Sequence, residues 1–177
     1  MYKKFLPLTF ILLLFSQLSN AGPEQAQQSV WVNEAIVATY SYSYKTYMED
    51  QKQIAKYFTA DGWMAYSQAL NASKLPESVQ KNLYYVSAVA TQPPAITAVD
   101  STHWKATMNL LVIYQNPQYQ QRQNLKIDIT FTTTDAGKGV RGYGITSLIA
   151  KVTKPPCQCA IEEESVAPVT NPTNAKP

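Results

Sequence analysis

Leu125-Lys126-Ile127-Asp128-Ile129-Thr130-Phe131-Thr132 alternates apolar and polar residues at every step, and this stretch decides the fold class. A period of two sends Leu125, Ile127, Ile129 and Phe131 to one face and the polar set to the other, the pattern of an antiparallel strand buried on one side and wet on the other. Upstream, across the polar loop 116–123, His103 to Tyr114 repeats it, with Met108, Leu110, Val112 and Tyr114 facing one way. Downstream, Asp135-Ala136-Gly137-Lys138-Gly139 supplies a hairpin connection and Tyr143 to Val152 reads as the last strand. Val86 to Val99 is the poorest strand of the set, because Pro93-Pro94 cannot donate to a ladder and belongs at an edge or a bulge.

The N-terminal half carries the other period. Between Glu24 and Asp61 there is neither glycine nor proline, and Trp31, Ala35, Ala38 and Tyr42 recur at helical spacing. The run Tyr40-Ser41-Tyr42-Ser43-Tyr44 alternates as a strand would, but Tyr40, Tyr44 and Tyr47 also lie at i, i+4, i+7, and the uninterrupted length reads as one long amphipathic helix. Its pattern continues from Asp50 to Tyr57. Thr59-Ala60-Asp61-Gly62 breaks it, with Asp61 placed to cap the next helix. Trp63 to Leu70 forms a short helix with Trp63, Tyr66 and Leu70 on one stripe, and Glu77 to Tyr84 forms another. Helices first and antiparallel strands afterwards make an α+β domain: a long N-terminal helix and short helices packed on a curved four-stranded antiparallel sheet.

The ends have different compositions. Lys3-Lys4, the apolar run Phe5 to Leu18 and the small residues Ser19-Asn20-Ala21 read as a cleavable secretory signal over 1–21, with the mature chain starting at Gly22. The apolar run is shorter than the roughly 20 residues a membrane-spanning helix needs, which makes an inner-membrane anchor the lesser reading. No cysteine follows the cleavage point to accept a lipid. Residues 22–154 form one domain, and 155–177, with five prolines and Glu162-Glu163-Glu164, is too poor in large apolar residues to pack and reads as a disordered tail. Loss of Lys3 and Lys4 lowers the net charge from +3 to +1, and the remaining lysines are scattered, so no basic face for nucleic acid is present.

Few residues suggest chemistry. His103 is the sole histidine, beside Trp104 at a turn-to-strand boundary, and reads as a polar surface residue before it reads as a base or ligand. The acidic residues outside the tail fall at caps, turns and helix surfaces without ligand spacing, no G-x-S-x-G turn occurs, and the glycines 137–144 lie between two strands where no phosphate cradle forms. No catalytic residue, metal site or cofactor is assigned. Aromatic residues are the better lead: Trp31, Tyr42, Tyr44, Trp63, Tyr66 and Trp104 are candidates for the core or for contact with a partner, since the tyrosines of 40–47 cannot all face one side of a helix. Cys157-Gln158-Cys159 is a candidate disulfide. Closure over one residue constrains almost no chain and adds little stability, while a bridge to another chain and a metal or redox role both stay open.

Tyr57-Phe58-Thr59-Ala60-Asp61-Gly62-Trp63, Tyr66, Ala69-Leu70, Ser73, the stretch 89–94, Trp104, the strand 110–114 and Cys157-Gln158-Cys159 together resemble the DotI/IcmL/TraM family of type IVB secretion and conjugation proteins, over about residues 28 to 160. The resemblance implies a nuclear-transport-factor-2-like cone and a non-enzymatic scaffold in an envelope-spanning translocation machine. It implies periplasmic exposure and partners among the other type IVB secretion components, admits a homo-oligomer, and calls for no nucleic acid and no small-molecule substrate. Family members typically carry an N-terminal transmembrane helix where this chain carries a signal, which points to a soluble periplasmic paralogue. The rival reading is a cone that encloses an apolar pocket for a small ligand or a reaction, recognisable by a deep cavity holding His103 and a carboxylate.

Overall fold

A computed structural model describes residues 22–160, and side chains to residue 153. The elements run α1 (Pro23–Thr39), β1 (Tyr42–Ser43), α2 (Tyr47–Ala55), α3 (Ala60–Ala72), α4 (Leu75–Lys81), β2 (Tyr85–Ala90), β3 (Ala95–Ala98), β4 (His103–Gln115), β5 (Tyr119–Thr133) and β6 (Tyr143–Ala160). One antiparallel sheet contains all six strands in the order β1-β2-β4-β5-β6, with β3 also paired to β4. All four expected strands are present. The first is divided into β2 and β3, which lie end to end along β4 on either side of Pro93-Pro94, and β1 adds a two-residue edge. Register shifts interrupt the β5–β6 ladder near Asn124 and Phe131, and bulges of this kind bend and twist a sheet. The result is a curled half-barrel.

The long helix is shorter than the sequence suggests. Proline at the first helical position starts α1, where its fixed φ suits the helix and its missing N–H costs nothing, but the helix ends at Thr39 instead of running to Asp61. Residues 40–46 supply hydroxyls that satisfy the backbone outside a helix: Ser43 Oγ and Thr46 Oγ1 stand 2.8 Å apart, Thr46 Oγ1 donates to Asp50 Oδ2 at 2.7 Å, and Ser43 N donates to the same oxygen at 3.0 Å. Such local bonds compete with helix propagation. Tyr42 then pairs with Val86 in β1, so the period-two alternation was the correct signal at that point.

Two further readings are corrected. Thr59, not Asp61, caps α3: its Oγ1 accepts from Gly62 N at 3.1 Å. Asp61 sits in the first turn, where a carboxylate still complements the helix dipole. Pro155 to Ala160, expected to be disordered, continue β6, whose backbone pairs Cys157 with Arg122 and Ala160 with Tyr119. The reason is the partner strand, which extends past the compositional boundary. The signal segment 1–21 and the remainder of the tail lie outside the described residues.

The core fills the concave side of the sheet. Trp31, Val32, Ala35 and Ile36 of α1 are fully buried, against inward-facing residues of β4 and β5 such as Met108, Leu110, Ile127 and Phe131. Trp31 packs on Phe131 and Tyr143 with ring centroids 5.1 and 5.3 Å apart, and Trp104 stacks on Phe131 at 5.5 Å. This aromatic wall occupies the space in which a ligand-binding cone would be hollow.

Candidate interaction surface

Of the six aromatic candidates, Trp31, Tyr42 and Trp104 are buried, whereas Tyr44, Trp63 and Tyr66 are half-buried. Trp63 and Tyr66 lie on successive turns of α3 and close with Phe58 into a cluster, centroids 5.7 and 5.0 Å from the Phe58 ring. That cluster packs against the core where α3 approaches β6. Gly62 permits the approach, because a Cβ there would overlap the Ile145 carbonyl oxygen. Ile145 in turn accepts from Thr59 N and donates to Tyr57 O.

Inside the sheet, the phenols of Tyr40, Tyr42, Tyr66 and Tyr114 face low-dielectric surroundings and one another. Burial, first, holds all four above the ordinary tyrosine range, Tyr114 at about 12. They stay neutral at any physiological pH and pack as largely apolar bodies.

Tyr44 has a different setting. Its N–H donates to Tyr84 O at 3.0 Å and its carbonyl accepts from Gln80 Nε2 at 3.0 Å, which fixes the segment after β1 against the end of α4. The Tyr44 ring meets Tyr85 edge-on at 5.4 Å, and Lys45 Nζ sits 5.8 Å from both ring centroids. The Tyr85 hydroxyl, then the charge interaction with the Tyr44 phenol, raise the Lys45 pKa, and Lys45 lowers that of Tyr85 in return. A cation over two rings is attracted by their quadrupoles. Around it, Met48 is 72% exposed, Leu83 50% and Tyr85 46%, and an open cleft of about 600 Å³ runs between Tyr44, Met48, Lys52 and Gln80. Tyrosine and methionine are enriched where proteins meet. Lys45, Met48, Leu83 and Tyr85 were not singled out by sequence. Their only signal was position: residues flanking short elements at the sheet's β1 edge, where one face has no neighbour.

His103 sits in an exposed turn. Asp100 Oδ1 accepts from Thr102 N at 2.8 Å and His103 N at 2.9 Å, and lies 3.0 Å from His103 Nδ1. This is an Asx turn that closes the β3–β4 hairpin. The two groups are together but on the surface, and the clefts described do not include them. Among the described residues no three His, Cys, Asp or Glu side chains are grouped to hold a metal ion. A separate polar network joins three elements: Tyr57 Oη donates to Glu34 Oε1 at 2.8 Å, and Arg141 Nη2 lies 3.0 Å from Glu34 Oε2. It ties the β5–β6 connection to α1. Cys157 and Cys159 lie two apart on β6, where extended backbone separates their Cα atoms by about 6.8 Å, at the upper limit for a disulfide. A bridge between them asks the strand to bend.

Comparison with known proteins gives a consistent result. Residues 13–152 match the family described as the type-IV b secretion system, inner-membrane complex component, of DotI/IcmL type. The crystal structure of an IcmL-like type IV secretion system protein from Legionella pneumophila subsp. pneumophila strain Philadelphia 1 is 61% identical, covers 78% of this chain and 99% of its own, and superposes with a TM-score of 0.73. The periplasmic domain of DotI is 28% identical over 71% of this chain and 94% of its own, with a TM-score of 0.67. A nuclear transport factor 2-like protein from Salmonella enterica serovar Typhimurium strain LT2 shares the fold alone, at 12% identity over 72% of this chain and 92% of its own and a TM-score of 0.50. No curated protein sequence matches.

Proposed function

We propose, from the premise that this chain belongs to the DotI/IcmL family of type-IV b secretion system inner-membrane complex components, that it is a non-enzymatic periplasmic assembly component working through protein contacts. The observation that carries this reading is the contrast between its interior and its β1 edge. Aromatic rings fill the concave side, leaving the exposed Tyr44–Lys45–Tyr85 cluster with Met48 and Leu83 as the chemically distinctive surface. That surface is suited to contact, and its central amine, Lys45, is held protonated between Tyr85 and Tyr44. The periplasmic placement is supported by the signal-like segment 1–21 and by the likeness to a DotI periplasmic domain. No helix among the described residues is long and apolar enough to cross a membrane.

The test is site-specific photo-crosslinking in intact envelopes, with a benzophenone side chain at Met48 or Tyr85 and at Gln68 on the exposed face of α3 as control. Adducts to other secretion components from Met48 and Tyr85, and none from Gln68, are expected. Equal capture at all three positions, or none at the first two, removes the proposed surface. Intact-mass measurement of periplasmic protein should show a chain that starts at Gly22.

A further inference from the structure

At β6 the sheet has an edge that its own chain leaves largely open among the described residues. β6 pairs with β5 on one side, and on the other only its start is covered, where Ile145 bonds to Tyr57 and Thr59. From Ser147 onward no backbone bond reaches that edge among the described residues. Residues 149–153 are all exposed, and two large aliphatics stand out on opposite faces, Ile149 at 54% and Val152 at 56%. Unpaired strand edges of this kind are templates for another strand, and natural proteins ordinarily blunt them. Here the blunting devices stand mainly beyond the segment, in Pro155-Pro156, and only Lys151 lies within it.

We infer that Ser147 to Thr153 is a self-association edge, which pairs antiparallel with the same strand of a second copy about a two-fold axis at Ala150. The sequence is self-complementary about that residue. Ser147 meets Thr153, Leu148 meets Val152, Ile149 meets Lys151, and Ala150 meets itself. Register on β5 assigns Leu148, Ala150 and Val152 to the concave face, opposite Ile129, Ile127 and Leu125, so the pairing joins the apolar rows of two sheets. On the convex face the charges also fit. Within one copy Lys151 stands directly opposite Lys126, a like-charge pair that is unfavourable. In the dimer each Lys151 lies beside the other copy's Ile149, whose neighbour on β5 is Asp128, and the long side chain can reach toward that carboxylate. Shifting the axis one residue to Lys151 would oppose two lysines instead. The chain's own last segment makes a poorer occupant, because Pro168 and Pro172 interrupt its ability to donate to a ladder.

The inference extends the assembly reading but stands apart from the Tyr44–Tyr85 surface, at the opposite edge of the sheet, so either can fail alone. The strip is about 24 Å long at roughly 3.4 Å per residue, short for an interface, and a dimer that dissociates on dilution is expected. The measurement is sedimentation of the mature chain across a concentration series, together with cysteine crosslinking in a background where Cys157 and Cys159 are serine. Directly opposed strand residues have Cα atoms about 4.5 to 5.5 Å apart, within disulfide range. Ala150→Cys should therefore give a covalent dimer under copper–phenanthroline oxidation, and Ser147→Cys or Thr153→Cys alone should give little. Val152→Glu, at a site already exposed in the monomer, should leave the melting midpoint unchanged and weaken association at least tenfold. A monomer at every concentration, or crosslinking at 147 or 153 in preference to 150, overturns the proposal.

Discussion

Two aromatic groups in this molecule have nearly the same ring spacing and opposite surroundings. Trp31, Trp104, Phe131 and Tyr143 stand 5.1 to 5.9 Å apart and are 0 to 8% exposed. Tyr44 and Tyr85 stand 5.4 Å apart, at the β1 edge, and Tyr85 is 46% exposed. Inside, each ring removes apolar surface from water and fills volume that nothing else can fill, so its worth is stability. At the edge the Tyr85 ring leaves much of its area in water and contributes less to folding. Residue type alone does not assign the role; the face of the element does.

Removing the interior wall should do the most damage. Trp31→Ala is expected to destabilise the domain by about 3–5 kcal/mol, since the indole is fully buried among rigid rings that cannot collapse into the space. Trp31→Phe should recover much of that loss, because the Trp31 Nε1 hydrogen has no partner and replacing it removes an unsatisfied buried donor. Denaturant titration of both variants checks the pair. If Trp31→Ala melts like the wild type, the comparison of interior and edge loses its basis. Trp63→Ala should cost less than Trp31→Ala, because Trp63 is only half-buried.

A smaller effect is expected where helix meets strand. Gly62→Ala should cost roughly 1–3 kcal/mol, the usual range for overpacking, by driving a methyl into the Ile145 carbonyl and loosening α3 from β6. Hydrogen exchange at Thr59 and Ile145, whose backbones bond across this junction, should rise before that of α1. Uniform protection would show that α3 shifts as a body to accommodate the methyl.

The outer cluster should respond in the opposite sense. Tyr85→Ala should melt close to the wild type while reducing recovery of envelope partners, because Tyr85 carries little burial to lose, whereas Tyr44→Ala, at a half-buried ring packed on the core, should lose some stability as well. Coupled loss of stability and binding in Tyr85→Ala would mean that its ring is core after all, and would merge the two groups.

The sequence made some of this legible and hid the rest for identifiable reasons. Strands β4 and β5 were readable because every second residue from Leu125 to Phe131 is committed to the core, and a ladder of 13 residues leaves no alternative register. The break after Thr39 was hidden because Tyr40, Tyr44 and Tyr47 satisfy both periods, and the decision lay in bonds to Asp50 from the Ser43 backbone N–H and the Thr46 hydroxyl. Continuation of β6 past Lys154 was hidden because composition reports what a segment can bury, whereas β5 offers it a backbone partner. The proposed interaction surface was half legible. Tyr44 was named, but Lys45, Met48 and Tyr85 are brought together only when β1 pairs with β2.

The smallest expected effect concerns the Asp100–His103 turn, a polar site as exposed as the Tyr85 cluster but closed on itself. The Thr102 backbone N–H, then the His103 side chain, hold the Asp100 carboxyl down at about 2. A carboxylate with a depressed folded-state pKa contributes stability above its unfolded value, near 3.9, and that contribution disappears as pH falls through the folded value. The turn should therefore loosen between about pH 4 and pH 2. Backbone amide shifts of Thr102 and His103, followed by NMR titration, should move with a midpoint near the lower limit. Asp100→Ala should abolish that titration and shift the melting midpoint less than Trp31→Ala or Gly62→Ala, because the carboxylate is solvated. His103→Ala should leave partner recovery unchanged. Were it to abolish secretion while the fold and the Tyr85 surface stayed intact, the functional surface would have to move from the β1 edge to this hairpin.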